Sequence, residues 1–153
     1  MNYKRYLKIL LIIIWIIVIF LFSNQNAKKS LELSKGVTYK VVEVVKGKDY
    51  PEEKKQSLVK ELVAFIRKCA HFFLYFVLAI FVFILLNEFI PINKKIILFT
   101  ILCCLIYAIT DELHQGFING RSARIFDVFV DTCGSTLSTC IMYTIYKIKL
   151  NNK

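Results

Sequence analysis

Four stretches of the chain are long apolar runs with few polar interruptions. Leu7 to Phe22 is broken only by Lys8, and Cys69 to Leu86 only by His71. A third run follows Lys94-Lys95 and stays apolar from Ile96 to Ile109. The fourth extends from Ile125 to about Ile148 and carries Asp127 and Asp131. A hydrocarbon core of about 30 Å needs about 20 helical residues. The pattern therefore predicts four transmembrane helices, over about 6–23, 68–88, 96–115 and 125–147. The first reaches spanning length with Tyr6 and a snorkelling Lys8. The third does so only if its helix runs on through Leu113 towards Phe117, which draws Asp111 and Glu112 below the membrane surface.

Between the first two spans, segment 24–66 has a different pattern. Ser30 and Ser34 can cap helical turns. Leu33, Val37, Val41, Val44 and Val45 recur near the spacing of one helical face, as do Leu58, Leu62, Val63, Phe65 and Ile66. Lys46-Gly47-Lys48-Asp49-Tyr50-Pro51 separates them as a turn. Two amphipathic helices on the outer surface, or capping the bundle, are expected. The expected fold is all-α: one polytopic membrane helical bundle over residues 1–153.

Composition agrees. Of 153 residues, 57% are hydrophobic, and the mean hydropathy of +0.57 excludes a disordered tail protein. A net charge of +10 would suggest nucleic acid in a soluble chain. Here the basic residues gather at the ends of apolar runs, so membrane lipids are the expected partner and nucleic acid is not. Cys69, Cys103, Cys104, Cys133 and Cys140 all lie in apolar segments without a C-x-x-C spacing, so neither a disulfide framework nor a zinc motif is expected. The first run also has the form of a signal peptide. Ser23-Asn24-Gln25-Asn26 offers no A-x-A cleavage site and no lipobox Cys follows, so a retained helix is expected. With the N-terminus inside, the inner side collects Lys4, Arg5, Lys8, Lys94, Lys95, Lys147, Lys149 and Lys153, with only Glu88 as a nearby acid. By the positive-inside rule both termini are then cytoplasmic.

The informative residues are those that do not belong in lipid. An ionisable group in hydrocarbon costs at least about 2.5–3.5 kcal/mol, so it usually faces inward and is paired or functional. Arg67, His71 and Tyr75, spaced i, i+4, i+8 beside Lys68, open the second span on one stripe. Asp111-Glu112-Leu113-His114-Gln115 closes the third, followed by Gly120-Arg121. Arg124, Asp127, Asp131, Gly134/Ser135 and Ser138 trace one face of the fourth, where small residues allow close helix approach. With the N-terminus inside, all three clusters fall at the outer level. Asp111, Glu112, Asp127 and Asp131 match Arg67, Lys68, Arg121 and Arg124 in number. Two readings stay open: a structural ion-pair network, or a polar pocket that takes a ligand.

Four motifs in order then resemble the VanZ-like family. They are Phe22-Ser23-Asn24-Gln25; Arg67-Lys68-Cys69-Ala70-His71-Phe72 with Tyr75; Asp111-Glu112-Leu113-His114-Gln115-Gly116-Phe117 with Gly120-Arg121; and Asp127-Val128-Phe129-Val130-Asp131 with Gly134. The resemblance implies a small helical membrane protein of the cell envelope, whose namesake is linked to reduced susceptibility to teicoplanin-type glycopeptides. It places the family's recurring polar positions on Lys68, His71, Tyr75, Glu112, Gln115, Arg121, Asp127 and Asp131. Asn119 and Ser138 depart from the family's usual proline and glycine.

Two functions follow. In the first, the outer pocket binds a lipid-linked wall component or a lipophilic glycopeptide. In the second, His71 with Glu112 or Asp127 acts as acid and base on a lipid head group. Ser135 and Ser138 show no sign of activation as nucleophiles, and a metal site on His71, His114 and the acids lacks H-E-x-x-H spacing. No metal or other cofactor is expected, and the binding reading is preferred.

Overall fold

A computed structural model describes residues 3–152; Lys153, counted above among the inner cations, lies outside them. The described chain forms five helices and no strand: α1 (Tyr3–Ser23), α2 (Ala27–Lys46), α3 (Glu52–Leu86), α4 (Lys94–Gly116) and α5 (Ile125–Asn151). All but α2 are long and apolar enough to cross a membrane.

The bundle is apolar outside as well as inside, as lipid requires. Leu10, Ile13, Ile17, Leu98, Ile106, Phe129 and Ile141 point outward, while Ile19, Tyr75, Leu78, Ala79, Cys104 and Ala108 form the core. Association in lipid gains little from burying apolar surface, so close packing carries it. The α3–α5 crossing shows this: a Cβ at Gly134 would overlap the backbone carbonyl of Phe72. The first helix belongs to the bundle. Its Trp15 indole donates to the Leu74 carbonyl at 2.8 Å, and the Tyr107 hydroxyl donates to the Ile16 carbonyl at 3.1 Å. All five cysteines are free thiols.

The segment between the first two spans differs from expectation in two respects. The amphipathic stretch Leu58–Ile66 is not a separate surface helix but part of α3. Nothing between Glu52 and Cys69 breaks the helix, since neither glycine nor proline occurs there. At 1.5 Å per residue, the 35 residues of α3 reach about 52 Å, well beyond a bilayer core. Its first half projects, and α2 packs antiparallel on that projection around Thr38, Val42, Lys55 and Val59. The Lys55 ammonium closes the hairpin by donating to the Lys48 carbonyl at 2.7 Å. Gly47, at φ +88°, turns the chain there. In addition, α2 is capped by Asn26, whose side chain accepts the Lys29 amide at 2.9 Å, and not by Ser30 or Ser34.

At one end of the bundle, Arg5 Nε lies 2.8 Å from Glu88, which Lys8 also contacts. Lys8 first, and then Arg5, hold the Glu88 carboxyl below the usual carboxylate range. The other end carries the polar residues of all four long helices.

Candidate functional site

Asp111 and Glu112 sit one turn before the end of α4 and are each only 4% exposed. Two adjacent helical positions point about 100° apart, so the two acids meet different neighbours. Asp111 turns to α1, where the Ser23 hydroxyl donates to Oδ2 at 2.9 Å; Gln115 Nε2 donates to the same oxygen at 3.0 Å. Glu112 turns to α5 and accepts the Arg124 amide at 2.6 Å. It thus satisfies one of the free N–H groups at a helix start. Neither acid is a solvent-facing helix end.

Arg121 lies on the α4–α5 connection, after a turn with Gly120 at φ +77°. One Nη donates to the Ser23 carbonyl at 2.8 Å and to Gln115 Oε1 at 3.1 Å; the other donates to the Ser30 hydroxyl at 2.7 Å. Its guanidinium therefore ties the ends of α1, α2 and α4 together. Burial first, and the Arg67 cation next, press its pKa below the ordinary value, against the pull of Asp111, Glu112 and Asp127.

Beside Arg121 a cleft of about 90 Å³ opens between α3 and α5. Arg67, Lys68, His71, Gln115, Arg121, Arg124 and Asp127 line it. The ion-pair network that their numbers suggested does not form. Among the described residues, no salt bridge joins Asp111, Glu112, Asp127 or Asp131 to Arg67, Lys68, Arg121 or Arg124. Lys68 instead stands 3.9 Å from the centre of the Phe126 ring, and Arg121 gives three of its N–H donors to neutral groups. Asp127 in particular makes no salt bridge with Arg121 or Arg124.

Below the cleft the polarity continues inward. Asp131 is 1% exposed, and the His71 imidazole faces it, Nδ1 to Oδ1 at 3.8 Å. Tyr75, on the same stripe of α3, is fully buried. The His71 Nδ1, the Tyr75 hydroxyl, both Asp131 oxygens and one Asp127 oxygen have no hydrogen-bond partner in the protein.

A family model described as VanZ/LLP1 matches residues 8–148. The chain belongs to the VanZ/LLP1 family. The match runs from within α1 nearly to the end of α5 and includes every residue of the cleft. No curated protein and no solved structure matches the chain.

Of the candidate residues in this VanZ/LLP1 chain, Arg67, Lys68, His71, Gln115, Arg121, Arg124 and Asp127 share the cleft. Asp111, Asp131 and Tyr75 lie buried at the same polar end, and Glu112 caps α5. His114 stands apart, with its ring against Phe20 and Nε2 3.4 Å from Asn24. Sequence reasoning missed Ser23 and Ser30 as site residues. Ser23 had a signal: it is the first polar position after the first apolar run and lies within a family motif. Ser30 had none, because its role depends on the tertiary contact with Arg121.

Proposed function

We propose that this VanZ/LLP1 protein lies in the bacterial cell membrane with both termini cytoplasmic. Its cleft, facing the wall side, binds the anionic head group of a lipid-linked wall component. The observation that carries this reading is that Arg67, Lys68, Arg121 and Arg124 surround one cleft and make no ion pair with the acids there. Arg67 is close enough to Arg121 to lower its affinity for a proton, and a phosphate between them would relieve that repulsion. Arg side chains suit phosphate by bidentate hydrogen bonding. The apolar exterior of α3 and α5 leaves a path for the acyl or prenyl chain. A lipophilic glycopeptide could compete for the same position, which would connect the cleft to the teicoplanin-type resistance suggested by the family name.

The test is binding of a polyprenyl phosphate to the purified chain in nanodiscs of neutral lipid. Saturable binding is expected, with loss of at least about tenfold in affinity for Arg121→Gln in folded protein, about one lost charge-assisted hydrogen bond. Equal affinity for a neutral polyprenol would overturn the reading. Expression in a glycopeptide-sensitive Gram-positive host gives the cellular arm: His71→Ala should remove any gained tolerance at unchanged membrane level.

A second reading, acid–base chemistry on the head group, is favoured by one observation, the His71–Asp131 approach at 3.8 Å. Of the carboxylates considered with His71, Glu112 already caps α5 while Asp127 lines the cleft, and Ser135 donates to the Asp131 carbonyl.

A further inference from the structure

Three ligand-type side chains from three helices converge beneath the cleft: His71 of α3, Asp111 of α4 and Asp131 of α5. One nitrogen or oxygen from each lies within 4.8 Å of the other two. We propose that these residues form a divalent transition-metal site, for Zn²⁺ or Mn²⁺, whose open coordination positions face the cleft.

The first support is geometric. Ligands about 2.0–2.2 Å from a zinc ion stand about 3.3–3.6 Å apart in a tetrahedron. The His71–Asp131 separation of 3.8 Å reaches that spacing with a few tenths of an ångström of movement. The second support is independent of spacing. Asp131 is 1% exposed, and neither of its oxygens has a hydrogen-bond partner; the His71 Nδ1 facing it has none either. A buried carboxylate without donors is costly and normally neutralised or coordinated. Two carboxylates, Asp111 and Asp131, match the charge of one divalent ion. The third support is the positioning of Asp111, held by the Ser23 hydroxyl and Gln115 amide as metal-binding carboxylates are typically held by outer partners.

The donor set selects the ion class. One imidazole and two carboxylates suit Zn²⁺ or Mn²⁺ better than a thiolate-seeking or all-oxygen-seeking ion. Three protein ligands leave positions free, as in sites that bind a further group. The site stands whether or not a lipid head group enters the cleft. His71, Asp111 and Asp131 are 60, 40 and 20 positions apart pairwise, so no local motif announces them.

The test uses the full chain, chelator-treated and purified in detergent micelles. Titration with Mn²⁺, followed by loss of the free-ion EPR signal, is expected to saturate at one ion per chain. Zn²⁺ should displace it, because zinc stands above manganese in the general affinity order. Asp131→Asn, which keeps the side-chain volume, is expected to weaken Mn²⁺ binding by at least about a hundredfold, and Ser23→Ala by about tenfold. Circular dichroism and a single size-exclusion peak identify folded variants. X-ray absorption of bound Zn²⁺ on the unaltered chain needs no variant. Nitrogen and oxygen neighbours at about 2.0–2.2 Å with an imidazole signature support the site; a sulfur neighbour at about 2.3 Å assigns binding to the cysteines and overturns it. Absence of stoichiometric uptake, or full affinity in folded Asp131→Asn, also overturns it.

Discussion

The tight approach of α5 to α3 at Gly134 makes a sharp prediction about one methyl group. Gly134→Ala places a Cβ where the Phe72 backbone carbonyl now lies, and a backbone oxygen cannot rotate aside as a side chain would. Helices α3 and α5 must then shift apart. Overpacking a tight contact costs about 1–3 kcal/mol. The opposing term is the better helix propensity of alanine, up to about 1 kcal/mol in water. That gain largely vanishes in a spanning segment, where backbone hydrogen bonding keeps the helix formed even without partners. Steric overlap should therefore win, with Gly134→Ala less stable by about 1–3 kcal/mol. Gly36→Ala is the matched control. Gly36 lies on α2, outside the spans, and nothing stands within 4 Å of its would-be Cβ. There the propensity term acts alone, and a gain of up to about 1 kcal/mol is expected. Reversible unfolding in mixed micelles measures both. Trp15, the single tryptophan, reports α1–α3 packing through its bond to the Leu74 carbonyl. If Gly134→Ala unfolds at or above the wild-type midpoint, the close approach does not limit the α3–α5 interface.

Two further expectations concern the opposite end and the topology. Lys8 and Arg5 depress the Glu88 pKa in the folded chain, so in the acid range the unfolded chain binds the extra proton. That contribution is complete above the ordinary carboxylate value and is lost as pH falls through the lower folded value. Glu88→Gln should flatten the pH dependence of the unfolding midpoint below about pH 5; an unchanged slope would show that other carboxyls carry it. For topology, single cysteines at positions 48 and 94 in a cysteine-free background should label from the outside and the inside respectively. Labelling of position 48 from the cytoplasm would reverse the proposed orientation.

Which parts of this molecule could be read from sequence follows from how local each determinant is. Spanning length and apolar runs are local, and they placed four helices within a few residues of α1, α4 and α5 and the end of α3. The extension of α3 was partly legible, because Glu52–Cys69 contains no breaker; the amphipathic pattern before Arg67 concealed that one helix can change environment without ending. Depth along each helix was also legible, and it brought His71, Asp111, Asp127 and Asp131 to one end. Partner choice was not. Equal numbers of acids and cations suggested pairing, but pairing depends on side-chain direction after the helices pack. Arg121 then met Ser23, Gln115 and Ser30, and Glu112 met a backbone amide.

That absence of pairing bears on the choice between a clasp and a site. A clasp made only to hold the bundle gains from joining opposite charges, and even well-made buried pairs can often be replaced by apolar residues at no loss of stability. Here the chain keeps four cations round a cleft without joining them to the four acids beside it. It also buries Asp131, His71 and Tyr75 with polar atoms that the protein itself does not satisfy. The structural hydrogen bonds at this end are made elsewhere: Glu112 caps α5, Ser23 holds Asp111, and Arg121 gathers three helix ends. Those contacts close the bundle and leave Arg67, Lys68 and Arg124 facing the cleft, with Asp131 unpartnered beneath it. Such a layout fits a partner that supplies anion to the rim and positive charge to the floor, as a phosphate-bearing lipid and a divalent ion would.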